Sequence, residues 1–94
     1  MENQNKFEKY KKIELHSPPG KLFTKKEANY IYKEAIRRVE WEMGKEWLNT
    51  HDDEEVVEII IKKIKELAKV YFERQEQENL VDKIVELIVK NIKK

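Results

Sequence analysis

Apolar residues recur every seven positions in the second half of the chain, and this spacing constrains the fold more than any other feature. One series is Val57, Ile64 and Tyr71, and a second runs from Ile60 to Leu67. The same register, carried forward, reaches Val81, Val85, Ile88 and Ile92. Residues seven apart lie on one face of a helix, so the pattern predicts amphipathic helices that bury an apolar stripe.

The register is interrupted only at Arg74 and Glu78, inside the segment RQEQEN. Two interpretations follow. The segment is either a helical hairpin with its turn near residues 77–79, or one helix of about 40 residues, roughly 60 Å long. No glycine or proline forces a turn there. We favour the hairpin, because a chain of this size needs it to close a core.

An earlier helix is predicted to begin at Thr24. Thr24 is a good N-cap residue, and Glu27 stands three positions later, which is the capping-box pattern. Gly44 lies within the predicted range of this helix, either as a tolerated defect or as its C-terminal stop. The predicted helices cover about 25–48, 53–76 and 80–93. The predicted fold is therefore all-α, a three-helix bundle or a helical hairpin plus a helix.

Residues 1–23 are predicted to form an extended or strand-like N-terminal arm that ends in a Pro-Pro-Gly link, followed by a helical domain over 24–94. Residues 7–15 alternate in polarity, which places Ile13 and Leu15 on one face of a strand. Such a strand must pair with a partner's strand or lie across the helices. The link, HSPPG, cannot be helical, because each proline restricts the residue before it.

The composition excludes several classes of function. The 94 residues include no cysteine, so there is no disulfide framework, thiol nucleophile or thiolate metal site. The net charge is +1, although 41% of the residues are charged, so no overall field attracts nucleic acid or membranes. No apolar stretch is long enough to span a bilayer, and the N-terminus has no signal-peptide pattern. We therefore expect a cytoplasmic protein that does not associate with membranes.

No catalytic motif is visible. Neither of the two histidines, His16 and His51, has a second histidine at metal-ligand spacing. The acidic residues after Thr50 are better explained as the start of a helix. We therefore expect no enzymatic activity, no cofactor, no metal and no small-molecule substrate.

Two aromatic residues, Tyr30 and Trp41, lie off the apolar stripe of the first predicted helix. Large rings bind partners well when an interface buries them, so we predict that they anchor a partner together with Ile13 and Leu15. The competing interpretation is that the rings cover the N-terminal arm of the same chain. The expected function is a small protein-interaction module, a regulatory or adaptor protein that forms a homodimer and binds an unknown protein.

Two other functions remain open. A DNA-binding accessory factor would use the basic arm and helix faces, and a basic strand followed by a helix loosely resembles the ribbon-helix-helix outline. Its candidate nucleic-acid contacts are Lys9, Lys11, Lys12, Lys33, Arg37 and Arg38. The first predicted helix is about twice as long as that outline requires. The second alternative is a structural component of a larger assembly.

Overall fold

The computed structural model describes residues 6–15 and 24–92, and these residues are helical without any strand. The helices are α1 (Glu8–Lys11), α2 (Lys25–Met43), α3 (Lys45–Thr50), α4 (Asp53–Glu73) and α5 (Leu80–Ile92). The Cα trace measures 43 × 23 × 19 Å along its principal axes. The all-α class predicted from the sequence is confirmed. None of the described helices is long and apolar enough to cross a bilayer.

Helix α4 lies at the centre and packs against both α2 and α5. It buries one residue in every turn, and this row consists of Val56, Ile60, Ile64, Ala68 and Phe72. The buried face of α2 consists of Ala28, Ile31, Tyr32, Ala35, Ile36 and Val39. That of α5 consists of Leu80, Ile84, Val85 and Ile88. Of the seven-residue stripe, Ile60, Ile64, Val85 and Ile88 are therefore buried within the same chain, and the other members are only partly buried.

The turn between α4 and α5 confirms the helical hairpin, and the interpretation as one long helix is wrong. The N–H of Gln77 donates to the carbonyl of Phe72 at 2.8 Å, and the N–H of Glu76 donates to that of Glu73 at 3.1 Å. These two bonds are those of a Schellman motif. Glu76 has a φ of 58°, the left-handed conformation usually taken by glycine. The turn has no glycine, which explains why the sequence carries no clear sign of it.

The first predicted helix, 25–48, is two helices instead of one. Gly44 has a φ of 87°, which side chains rarely adopt, and it separates α2 from α3. At the start of α2 the predicted capping box is present. The Thr24 hydroxyl accepts from the N–H of Glu27 at 3.0 Å, and a Glu27 carboxylate oxygen accepts from the N–H of Thr24 at 2.9 Å.

The described part of the N-terminal arm is not a strand. Residues 8–11 form the single turn α1, and residues 13–15 have no regular structure. Phe7, Tyr10 and Leu15 are buried in the same core as the helices, so the arm lies across them. The Pro-Pro-Gly link falls in residues 16–23, which lie outside the described residues.

Candidate functional site

Tyr30 and Trp41 lie on the solvent-facing side of α2, away from its buried stripe. Trp41 is 86% exposed and Tyr30 is 59% exposed. Residues 30 and 34 are four positions apart, and residues 37 and 38 are each three or four positions from both 34 and 41, so the five residues share one face of the helix. Both rings lie outside the core cluster that contains Phe7, Tyr10 and Leu15, the buried residues of the described part of the arm. The exposure of both aromatics is consistent with a role as partner contacts.

The three arginines of the chain lie beside these rings. A depression of about 540 Å³ between α2 and α4 is lined by Tyr30, Ile31, Glu34, Arg38, Leu67, Val70, Tyr71, Arg74 and Gln75. A smaller depression next to it is lined by Glu34, Arg37, Arg38, Trp41 and Glu42. The two depressions are adjacent, because Glu34 and Arg38 line both. We define the Arg-aromatic face as Tyr30, Glu34, Arg37, Arg38, Trp41, Leu67, Val70, Tyr71 and Arg74.

Glu34 holds two of the guanidinium groups in place. One oxygen of its carboxylate accepts from Arg37 Nη2 at 2.6 Å and from Arg38 Nε at 3.4 Å. The hydrogen bond from Arg37 is the main reason why the pKa of Glu34 is lowered. Exposed ion pairs of this kind add little to stability. Their effect here is to restrict the rotamers of two long side chains, which reduces the entropy that a partner must overcome on binding.

Tyr71 forms a rigid floor beside the exposed rings. Its ring lies 6.2 Å from that of Tyr30 in a tilted arrangement and meets Phe72 edge-on at 5.1 Å. Its hydroxyl donates to the Glu27 carboxylate at 3.0 Å. Burial is the largest cause of the raised pKa of Tyr71. Val70, one residue earlier, is 50% exposed and adds apolar surface to the same face.

The other two predicted partner contacts do not belong to this face. Leu15 is fully buried, so it is not available to a partner in this conformation. Ile13 is half-buried and lines a different groove, together with Tyr10 and Ile92. The structure therefore brings Tyr30 and Trp41 to one face and separates them from Ile13 and Leu15.

Most of the candidate nucleic-acid contacts are already paired with carboxylates of the chain. Lys9 contacts Asp53 at 2.9 Å, and Lys11 contacts Glu40 at 2.6 Å. Arg37 and Arg38 share Glu34, as described above. Only two of the six predicted contacts, Lys12 and Lys33, are exposed without an ion pair to any described residue.

The contribution of α4 to the Arg-aromatic face was missed by the sequence reasoning. Tyr71 was assigned to the apolar stripe, and Arg74 was treated as an interruption of it. One signal was available in the composition: of 20 cationic residues only three are arginines, at positions 37, 38 and 74. Their proximity in space could not be deduced before the packing of α4 on α2 was known.

The described part of the chain contains no group of three or more histidine, aspartate or glutamate side chains able to hold a metal ion. Every buried side-chain nitrogen or oxygen in it has a hydrogen-bond partner. Comparison of the chain with family models, with curated proteins and with solved structures finds no match.

Proposed function

We propose that the protein is a non-enzymatic interaction module that binds another protein through the Arg-aromatic face. The observation that supports this proposal is the gathering of all three arginines around Tyr30 and Trp41, in a chain that otherwise uses lysine for its positive charge. Tryptophan, tyrosine and arginine are the residues most enriched among those that dominate binding energies. Lysine, in contrast, is depleted at interfaces.

The face also specifies the chemistry of its partner. With Glu42, which also lines the smaller depression, it carries three guanidinium groups and two carboxylates, a net charge of +1. Between these charges lie apolar and aromatic surfaces, of which Trp41, Tyr30 and Val70 are the most exposed. A matching partner presents carboxylates that bind guanidinium groups in a bidentate way, around an apolar recess that takes the indole ring.

A partner of a different sequence fits this face better than a second copy. A two-fold interface places the same residues of two chains against each other, so the net positive charge of the face would oppose self-pairing. The homodimer predicted from the sequence was based on the seven-residue stripe. Part of that stripe is buried within one chain, at Ile60, Ile64, Val85 and Ile88, and the rest is only partly buried. Self-association is therefore an outcome to be measured alongside the proposed binding.

The DNA-binding alternative receives less support from the surface. Nucleic-acid affinity depends on cations that are free to replace the counterions of phosphates. Of the candidate contacts outside the Arg-aromatic face, Lys9 and Lys11 are each held by a carboxylate of the chain. The proposed module is thus an adaptor or regulatory protein of the cytoplasm that recognises protein.

Photo-cross-linking tests this proposal directly. A photoreactive phenylalanine analogue is placed at Trp41 and, as a control, at Lys83, an exposed residue of α5 outside the face. After irradiation of the source cells, the Trp41 protein should give a discrete adduct identified by mass spectrometry, and the Lys83 protein should not. An adduct of twice the 11.5 kDa of the chain would identify a second copy as the partner. Equal labelling from both positions would remove the support for this face.

A further inference from the structure

We propose that a second surface, independent of the Arg-aromatic face, binds a basic amphipathic helix. The surface is a groove of about 930 Å³ between the N-terminal arm, the first half of α4 and the end of α5. We call it the acidic groove, and its lining consists of Lys9, Tyr10, Ile13, Asp53, Glu54, Val57, Glu58, Ile61, Asn91 and Ile92. It shares no residue with the Arg-aromatic face.

The floor of the acidic groove is apolar. Ile13, Val57, Ile61 and Ile92 are each half-buried and pack against the core from outside. Val57 and Ile61 are one helical turn apart on α4, so they form a ridge of the kind that fits between the side chains of another helix. These four side chains supply an apolar surface contributed by three separate parts of the chain.

The rim of the acidic groove is negatively charged. Three carboxylates, on Asp53, Glu54 and Glu58, face one ammonium group, on Lys9, so the lining has a net charge of −2. Lys9 is already bound to Asp53 at 2.9 Å. Glu54 and Glu58 are exposed, and neither makes a hydrogen bond or ion pair with any residue that the structure describes. The uncompensated charge therefore lies on these two glutamates, along one wall.

The spacing of the two glutamates disfavours a purely structural role. Like charges four residues apart on a helix repel each other and lower its stability. The helix dipole favours Glu54, which lies in the first turn of α4, but its effect declines within that turn. Lys62, four residues after Glu58, has the opposite charge, but no ion pair joins it to Glu58. Cations supplied by a partner would relieve this repulsion on binding.

Charge complementarity and the apolar floor together specify the occupant. An amphipathic helix places apolar anchors on one face at i, i+3, i+4 and i+7, and its flanking positions can carry lysine or arginine. Lysine side chains extend past apolar surface to reach carboxylates at a rim. Nucleic acid is disfavoured here by the negative charge of the groove. The chain would thus hold two partners of opposite character on separate surfaces.

Binding of a designed peptide tests this inference. The probe is a fluorescent amphipathic helix of about five turns, with leucine at the apolar positions and lysine at the flanks. A second peptide keeps the leucines and replaces each lysine with glutamate. By fluorescence anisotropy at low salt, the lysine peptide should bind saturably and at least about tenfold more tightly than the glutamate peptide, and this preference should fall as salt is added.

Substitutions locate the binding. The double change Glu54→Gln and Glu58→Gln should lower the affinity for the lysine peptide by about three- to tenfold, which is the change expected from losing two exposed ion pairs. It also removes a repulsion, so the melting temperature should stay constant or rise. Glu73→Gln with Glu78→Gln is the matched control, because both residues are exposed and lie outside the groove. It should leave binding unchanged.

Several results would overturn the inference. These are the absence of saturable binding at millimolar peptide, equal affinity for both peptides, or equal effects of the groove and control substitutions. Self-association that the Glu54 and Glu58 changes abolish would also overturn it, by identifying a second copy as the occupant. Substituting Tyr30 and Trp41 should not alter peptide binding, which separates this inference from the proposed function.

Discussion

The side-chain amide of Asn29 binds the backbone of Leu15 on both sides. Its Oδ1 accepts from the N–H of Leu15 at 3.0 Å, and its Nδ2 donates to the carbonyl of Leu15 at 3.0 Å. A neighbouring strand would satisfy the same two groups, but here a side chain of α2 does so. This explains how Leu15 can be fully buried in a segment without regular structure, since buried backbone groups need partners.

Replacing Asn29 with alanine should detach this segment. The change leaves the N–H and carbonyl of Leu15 unpaired, and we expect the free energy of unfolding to fall by about 1–3 kcal/mol. Urea unfolding measures the loss, and hydrogen exchange of the Leu15 amide should accelerate. Asn91→Ala is the control, because the Asn91 side chain bonds only to Leu87 within its own helix. Equal losses from both variants would show that Asn29 has no special role.

Replacing Glu76 with glycine should stabilise the protein. A non-glycine residue in the left-handed region costs about 1–2 kcal/mol, part of which glycine offsets by its greater freedom in the unfolded chain. We therefore expect a net gain of about 0.5–1 kcal/mol, measured by thermal unfolding. Glu78→Gly lies in the same turn, where φ is not positive, and should destabilise the protein. A loss of stability in both variants would contradict the assigned turn geometry.

Acid should weaken the attachment of the N-terminal arm through Asp53. The hydrogen bond from Lys9 is the main reason why the pKa of Asp53 is lowered, and Lys6 and Tyr10 add to the effect. A carboxyl with a lowered pKa stabilises the folded state above its unfolded pKa of about 4, and this contribution is lost as the pH falls through the folded pKa. Asp53→Asn should therefore reduce the loss of stability in acid, as followed by urea unfolding at a series of pH values.

The neighbouring change Asp52→Asn is the control for this experiment. Asp52 is exposed and its side chain caps no backbone N–H. This variant should retain the full acid dependence.

Tyr10 adds an effect in base, because burial and, next, the charge of Asp53 raise the pKa of Tyr10 to about 12. That contribution is complete below about pH 10 and is lost as the pH rises through 12.

The double change Tyr30→Ala and Trp41→Ala should separate binding from folding. Both side chains are largely exposed, so stability should change by less than about 1 kcal/mol. Affinity for the cross-linked partner should fall about tenfold or more, as expected when central aromatic contacts are removed. In contrast, Trp47 is half-buried and stacks on His51 at 3.8 Å. Trp47→Ala should therefore lower the melting temperature. If the Tyr30→Ala and Trp41→Ala double variant unfolds, the exposed rings have a structural role.

Ile64 tests the register of the helical hairpin. The residue is fully buried at the middle of α4, and Ile64→Ala should cost about 2–5 kcal/mol. Val70→Ala removes apolar atoms from the same helix at a site that is half exposed, and should cost less than about 1 kcal/mol. Chemical denaturation of both variants measures the difference. Similar costs would mean that α4 is rotated from the orientation described.

Much of the fold could be predicted because it depends on local patterns. Seven-residue spacing indicated α4 and α5, and the Thr24–Glu27 pair indicated the start of α2. The breaks were harder to predict, since they depend on backbone conformations that several residue types can adopt. At the turn between α4 and α5, Glu76 takes a left-handed conformation that is usually taken by glycine, so the sequence does not mark the break. Between α2 and α3 a glycine is present, but a glycine can also be tolerated within a helix, so Gly44 alone does not show that the helix ends there.

Only the part of the candidate site that lies on α2 could be predicted from the sequence. Tyr30 and Trp41 could be assigned to the exposed face of α2 because helical spacing alone shows that they lie off the buried stripe. Val70, Tyr71 and Arg74 join them through the packing of α4 on α2, which no local pattern encodes. The position of Leu15 depends on a side chain fourteen residues away, so its burial could not be recognised from alternation in polarity.

The attachments of the first residues of the N-terminal arm also predict an order of folding. The contacts of Phe7 with Asn49 and of Lys6 with His51 join residues 42 and 45 positions apart, whereas α4 and α5 are joined by a short turn. Closing long loops costs entropy that local pairing avoids, so we expect the hairpin to form before Lys6 and Phe7 dock. Until the arm docks, the surface that will cover Phe7, Tyr10 and Leu15 is exposed to water, and nascent chains are most prone to aggregate during that interval.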